Sequence, residues 1–363
     1  MNNKNKFALV IYKYFPYGGA QRDMLHLAES LAKRGHNVEI ITMNWDGEKP
    51  SNKIKIHLLK PLGLFNYLKY KNFHQQTLEY IKQNNDLVTV AFSKLSGFNF
   101  YYAADTCFKE KNINSFKNFL PRNKFFLEQE RLIFKKSSST KILSISEREN
   151  QIYQSHFGTE EERFIFVPPF IDKKFFISSG EENNIREKIF GNSKNILLFI
   201  GSGFKTKGLD RAIQAFSKLP DEIMKNLNFL IIGKDNPKKY LKTIKKIKLT
   251  SCIKIIPGYD DIPKAMRESC VLIHPARNEN TGLILLEALS QSLPIITTDR
   301  CGFSPFVKKD KFSKVLDSPF SQIELNKTLL DLVSKIKTHE KLPNKYFQKF
   351  NKYLLDKLIL KNL

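Results

Sequence analysis

Short apolar runs alternate with helix-period segments along almost the whole chain, and this alternation constrains the fold more than any other feature. Residues 6–12 (KFALVIY) read as a buried strand, and a turn at Gly18-Gly19 leads into a helix over about 20–34. That helix places Leu25, Leu27, Ala28, Leu31 and Ala32 at near-helical spacing, with Gly35 as a C-terminal cap. NVEIITM at 37–43, IKIHLL at 54–59, a helical stretch near 65–84 and DLVTVAF at 86–92 continue the cycle. Strand, helix, strand with short connections means parallel β-α-β units, because parallel neighbours need a crossover.

A second cycle begins after Pro168-Pro169, where a polar stretch runs to about 184. NILLFIG at 195–201 is the clearest buried strand. A Lys/Gly loop, a helix near 208–218, NFLIIGK at 228–234, a Lys-rich helix near 237–248 and CIKIIPG at 252–258 follow. A short helix at 262–268, CVLIHP at 270–275, a helix near 282–291 and PIITT at 294–298 complete it. A chain of 363 residues exceeds one ordinary core, so the reading is two α/β doubly wound domains, 1–168 and 169–343. Ligand in such folds lies at the carboxyl ends of the strands, here expected where the two sheets face across a cleft.

Composition removes several classes. Apolar residues make up 41% and charged residues 26%, which excludes wholesale disorder. No run of 18 apolar residues occurs, so no spanning helix is expected, and the N-terminus reads as an opening strand, not a signal peptide. The four cysteines (107, 252, 270 and 301) form no C-x-x-C pair, which fits a reducing cytoplasm and no structural zinc. The anomaly is a net charge of +24, from 60 Lys+Arg against 36 Asp+Glu. Nucleic acid, an anionic membrane surface and phosphorylated substrates all fit such an excess. Both halves of the chain are basic and no RNP, helix-turn-helix or zinc-finger pattern appears, so a nucleic-acid module is not favoured. Abundant Lys, Asn, Ile and Phe also suggest an AT-rich genome behind part of the charge.

Three segments carry chemistry. In KYFPYGGAQRD at 13–23, Gly18 and Gly19 let backbone approach a ligand and aim helix amides at it; a bare tight turn is an equal alternative. No third glycine completes a dinucleotide fingerprint. GSGFKTKGLDR at 201–211 sets Lys205 and Lys207 on a glycine-rich loop after a buried strand, which suits a diphosphate. No G-K-[ST] triplet makes it a Walker loop. The most specific segment is HPARNENTGLILLEALSQSLPII at 274–296. Glu279 stands before a helix and Glu287 about one and a half turns into it, with the amides after Asn280, Thr281 and Gly282 between. A sugar nucleotide would use one carboxylate for sugar hydroxyls, the amides for phosphate and the other carboxylate for ribose. A capping glutamate and a surface glutamate are the bland alternative, weakened because LILLEALS is a costly place for an unpaired charge.

The E-x7-E spacing, after a basic glycine loop and an N-terminal G-G turn, resembles the retaining glycosyltransferases of family 4, which have the GT-B fold. YKYFPYGGAQRD, YYAADTC at 101–107, VPPFID at 167–172, FKTKGLDR and HPARNENTGLILLEAL resemble in particular the branch that builds lipopolysaccharide core. That branch adds α-1,3-linked glucose from UDP-glucose to inner-core heptose. The resemblance runs from about residue 7 to 320. It implies that Glu279 contacts the donor hexose, Glu287 the ribose, Lys207 the diphosphate, and Gly18 and Gly19 the phosphates. Asp23 and Asp105 match acidic residues near the reacting sugar, Asp105 being the better candidate for orienting the acceptor. The family's basic residue before Lys207 is Thr206 here, with Lys205 preceding it. The fold implies that the amphipathic C-terminal segment, 344–363, returns to complete the first domain.

The resemblance also implies retention by front-face substitution. No D-x-D occurs anywhere in the chain, so no Mn²⁺ or Mg²⁺ chelate and no cofactor is expected. An acceptor linked to lipid A implies a cytoplasmic enzyme, peripheral on the inner face of the inner membrane. FKEKNINSFKNFLPRNKFFLEQERLIFKK at 108–136 interleaves eight Lys/Arg with aromatics and fits an anionic leaflet, or a core-facing helix with snorkelling lysines. The seven histidines show no ligand spacing and read as structural, only His274 lying near the expected site. Alternatives are UDP-GlcNAc or UDP-galactose as donor for another glycolipid or capsule, a basic nucleic-acid-binding protein, and a lectin-like subunit without activity.

Overall fold

The computed structural model describes residues 4–16, 18–113, 116–176, 185–192, 194–335 and 354–363. In chain order the first stretch contains β1 (Lys6–Val10), β2 (Lys13–Tyr14), α1 (Gly19–Lys33), β3 (Asn37–Thr42), β4 (Asn44–Trp45), β5 (Ile54–Leu58) and α2 (Asn66–Gln83). It continues through β6 (Leu87–Ala91), β7 (Phe100–Ala103), α3 (Phe108–Lys111), α4 (Pro121–Phe134), β8 (Lys141–Ser144), α5 (Glu147–Phe157) and β9 (Phe164–Phe166). The second comprises α6 (Ile185–Phe190), β10 (Asn195–Ile200), α7 (Leu209–Phe216), α8 (Asp221–Met224), β11 (Leu227–Ile232), α9 (Lys238–Lys246) and β12 (Ile253–Ile256). After it come α10 (Ile262–Arg267), β13 (Val271–His274), α11 (Leu283–Ser290), β14 (Ile295–Thr298), α12 (Ser304–Val307), β15 (Lys314–Leu316), α13 (Gln322–Ser334) and a final α14 (Leu355–Lys361).

Two compact units result: Met1–Pro168 with Tyr353–Leu363, and Pro169–Lys352. The first is built on a seven-stranded parallel sheet ordered β5-β3-β1-β6-β7-β8-β9. β1 is flanked on both sides, Phe7 opposite Val38 and Val88, and four of its five residues are buried, which explains its unbroken apolar run. The sequence patterns above did not mark β7, β8 and β9; each is short, and β9 is only partly covered. α1 buries Met24, Leu27, Ala28, Leu31 and Ala32 against this sheet. Past its C-cap, Gly35 adopts φ +89°, and the amides of Gly35 and His36 close on the carbonyls of Ala32 and Leu31.

α14 packs on the same layer, where Leu355 and Ile359 join the core of α1 and β1. Asp356, almost wholly buried, accepts from Ser30 Oγ at 2.7 Å and Arg34 Nε at 2.6 Å. Residues 344–353 of the expected C-terminal helix lie outside the described residues.

The second unit has a six-stranded parallel sheet ordered β12-β11-β10-β13-β14-β15. One face is covered by α7, α9 and α13, through Phe216, Ile244 and Leu329 among others, and the other by α10, α11 and α12. The strand order reverses between β10 and β13, so the loops leaving those two strands open a crevice at their carboxyl ends. Among the described residues no helix is long and apolar enough to cross a membrane.

Candidate functional site

The loop after β10 brings Lys207 and the loop after β13 brings Glu279 to the same point, although 72 residues separate them. The Lys207 Nζ ammonium is bonded to the Glu279 carboxylate, and each side chain is 20% exposed. His274, the last residue of β13 and fully buried, sits with Nε2 3.6 Å from the same carboxylate oxygen. Burial alone would raise the Glu279 carboxyl, but the His274 ring and the Lys207 ammonium outweigh it and hold the pKa at about 2. Glu279 is therefore an anion at any physiological pH. Burial lowers the His274 pKa, so that ring is neutral at pH 7 and keeps a nitrogen able to accept.

Backbone contacts hold both loops. Glu279 N–H donates to the Arg300 carbonyl at 3.0 Å, and its carbonyl accepts from Gly302 N–H at 3.2 Å. Gly208 has φ +78°, and a Cβ there would lie 2.1 Å from the Pro275 carbonyl oxygen, so the lysine loop presses directly on the segment leading to Glu279. Gly201 leaves room for the Lys207 stem: a Cβ on it would come within 2.7 Å of Lys207 Cδ. Arg277 ties the loops from outside. Its guanidinium forks onto the Asp210 carboxylate at 2.8 and 2.6 Å and donates to the Lys205 carbonyl at 2.8 Å, and its amide donates to Thr206 O at 2.7 Å. Asn280, Thr281 and Gly282 lead into α11, with the Thr281 carbonyl accepting from Phe303 N–H at 2.8 Å and Gly282 at its N-cap with φ +74°. The first amides of α11 face its N-terminal end, beyond the Gly282 cap. Glu287 lies in that helix, 8% exposed. The Lys205 side chain projects into solvent.

In the first unit, Gly18 caps α1 and Gly19 is its exposed first residue. Asp23, on the next turn, accepts from the Tyr102 hydroxyl at 2.7 Å. Burial raises its pKa, with Arg22 and the Tyr102 bond opposing. Tyr102 belongs to β7, whose exit carries Asp105. The Asp105 residue is exposed, and its carbonyl accepts from Tyr153 Oη at 3.1 Å. Of the expected residues, then, the structure joins Lys207 to Glu279 beyond β10 and β13, and sets Asp23 on Tyr102 of β7, three residues before Asp105.

Sequence reasoning passed over Arg277 and Asp210 and read His274 as structural. Position in HPARNE, next to Glu279, was the available signal for His274 and Arg277. Nothing local marks Asp210. The segment 108–136 is divided: α4 buries Asn123, Gln129, Glu130, Ile133 and Phe134, while Phe116 (91%), Phe119 (74%) and Leu120 are exposed beside Arg122 and Lys124.

Two family models match the chain. One, Glycosyltransferase Family 4, covers residues 17–175, and the other, Glycosyl transferases group 1, covers residues 180–348. The lipopolysaccharide glucosyltransferase WaaG of Escherichia coli K12 is 32% identical over 330 residues, which are 89% of this chain and 88% of that protein. The chain belongs to glycosyltransferase family 4. The crystal structure of WaaG, a glycosyltransferase involved in lipopolysaccharide biosynthesis, matches with a TM-score of 0.85 at 29% identity, over 96% of this chain and 95% of that one. The two parallel-sheet units are thus the Rossmann-like domains of the GT-B fold, as the motifs implied. Anabaena HepE in complex with UDP-glucose shares the fold, with a TM-score of 0.67 at 13% identity over 99% of this chain and 100% of that one.

Proposed function

We propose that this glycosyltransferase moves glucose from UDP-glucose, with retention, onto the inner-core heptose of lipopolysaccharide as an α-1,3 linkage. The observation that carries the reading is the Lys207–Glu279–His274 cluster at the head of α11, in a chain related over most of its length to the lipopolysaccharide glucosyltransferase WaaG. A carboxylate with a pKa near 2 is a permanent acceptor, suited to sugar hydroxyls and not to proton transfer at pH 7. Lys207 and the first amides of α11 supply positive charge where a diphosphate leaves, the kind of fixed electrostatic assistance that lowers such barriers most. A diphosphate that draws Lys207 away leaves Glu279 free to accept from the hexose, while Glu287 takes the ribose. Asp105 and Asp23 orient the acceptor. Lys205, exposed on the same loop, stands in for the basic residue that Thr206 lacks. Neutralisation by the protein itself makes a divalent metal unnecessary. The basic and aromatic surface of 108–136 holds the enzyme on the anionic inner leaflet, where a lipid-linked acceptor is presented.

The test is UDP release over a donor panel (UDP-glucose, UDP-galactose, UDP-GlcNAc) with a heptose-terminated truncated core, with and without EDTA. Release with UDP-glucose alone, unaffected by EDTA and abolished by Glu279→Ala, is expected. Preference for another donor refutes the assigned sugar, loss with EDTA refutes the metal-free mechanism, and an unchanged Glu279→Ala rate refutes the site.

A further inference from the structure

The loop that carries Asp105 is gripped from below by a buried charge cluster with no part in the donor site. Glu130, on α4 and wholly inaccessible, accepts from the backbone N–H of Phe108 at 2.7 Å and of Lys109 at 2.8 Å. The Cys107 thiol lies 3.6 Å away and donates to the same carboxylate. Burial, then the Glu130 charge, push that thiol up to about 12, so it stays protonated and able to donate. Glu149, on α5, accepts from Cys107 N–H at 2.8 Å. Lys94, 6% exposed and on the loop after β6, bonds to Glu130 and donates to the Thr106 carbonyl at 3.3 Å. The connection carrying Lys94 is itself tied to α4, since Ser96 donates its amide and its hydroxyl to Gln129 Oε1, each at 2.9 Å. With Tyr153 Oη on the Asp105 carbonyl, every residue from Asp105 to Lys109 is anchored through its backbone, while Asp105 itself remains exposed.

A buried ion pair is a poor way to gain stability, because apolar residues of like volume serve a core as well or better. What such a pair secures, when it also accepts from successive backbone amides, is one conformation of the loop above it. The geometry points to Lys94, Glu130 and Glu149 as positioning residues of the acceptor side, which hold residues 105–109 so that the Asp105 carboxylate meets the incoming hydroxyl from a fixed backbone. The inference rests on the reading of Asp105 as the group that orients the acceptor.

The test compares, in one preparation, glucose transfer to a heptose-terminated truncated core with hydrolysis of UDP-glucose by water. Hydrolysis needs the donor site but not the acceptor. Glu130→Gln keeps the shape but loses the charge that Lys94 answers and one of the lone-pair sites facing the two amides. The ratio of transfer to hydrolysis should fall about tenfold to a hundredfold, in kcat for transfer or in acceptor KM, the size expected when a reacting group shifts by about 1 Å. A paired Lys94→Met, Glu130→Met variant, which replaces the ion pair by apolar volume but leaves the Phe108 and Lys109 amides without their acceptor, should fold with a lowered melting temperature and show the same fallen ratio. A purely structural role would lower transfer and hydrolysis in parallel and leave the ratio intact in both variants, and that result overturns the inference. Asp105→Asn separates the two levels. If it leaves the ratio unchanged, the Asp105 reading fails and this inference with it; if it lowers the ratio while Glu130→Gln does not, the inference alone fails.

Discussion

Replacing Lys207 by Met removes the ammonium from the Glu279 carboxylate and leaves most of the apolar stem in place. In the folded protein Glu279 has a pKa of about 2 against an ordinary value of 4.5. A depressed carboxyl contributes stability that is fully present above its unfolded value and is lost as the pH falls through the folded one. The difference corresponds to about 3 kcal/mol at pH 7. The His274 ring supplies part of this depression and, with both side chains one-fifth exposed, solvent screens part of the rest, so about 1 to 2 kcal/mol is the expected loss in Lys207→Met. With the His274 ring alone left to oppose burial, the Glu279 pKa then rises toward the ordinary range. The gap between wild type and variant should therefore shrink steadily from about pH 4.5 and close below pH 2, once Glu279 is protonated in both. The assay is urea unfolding read by pulsed hydrogen exchange of peptides covering β10 and β13, which reports the second unit by itself. A gap that stays constant over that pH window would refute the reasoning and assign the loss to the Lys207 stem packed beside Gly201. A Glu279→Gln background in which Lys207→Met costs as much as in wild type would refute it equally.

Gly208→Ala forces a Cβ against the Pro275 carbonyl at a positive φ, so a loss of about 1–3 kcal/mol and weaker UDP binding by titration calorimetry are expected; unaltered UDP affinity would detach this loop from the donor site. At Asp356, burial raises the carboxyl but the Ser30 and Arg34 donors outweigh it, so its pKa is lowered and its stabilisation is lost as the pH falls below the ordinary aspartate range. Asp356→Asn should cost about 1–3 kcal/mol at pH 7 and little in acid, measured by proteolytic release of α14. Glutamates in place of Lys124, Arg131, Lys135 and Lys136 should weaken co-sedimentation with anionic vesicles at physiological salt by about a hundredfold or more, at about 1 kcal/mol per charge, and unchanged binding would remove the membrane role.

Local patterns carried much of the fold into view. β1 and β10 are unbroken apolar runs because they sit inside parallel sheets covered on both faces, and such runs announce themselves. The glycines at 201 and 208 and the Glu279–Glu287 spacing are equally local, since loop backbone and helix pitch act over a few residues. β7, β8 and β9 escaped because FYYA, KILS and FIF lack the β-branched runs that mark the equally short β12 (IKII), β13 (VLIH) and β14 (IITT). An amphipathic C-terminal segment fits any apolar face, so its own pattern does not select one.

The sequence by itself determined the alternation of strands and helices, the glycine-bearing loops and the candidate carboxylates, all consequences of short-range backbone and side-chain preference. Only the tertiary structure decided what those residues meet. It set Lys207 and His274, whose sequence context reads as structural, on Glu279, Arg277 on Asp210, and Asp356 on Ser30 and Arg34. It also divided one basic and aromatic stretch into an exposed apolar edge and a buried Glu130 under the Asp105 loop. The physical reason is that a charge takes its ionisation and its role from burial and from partners, and here those partners arrive from strands and helices far away in the chain.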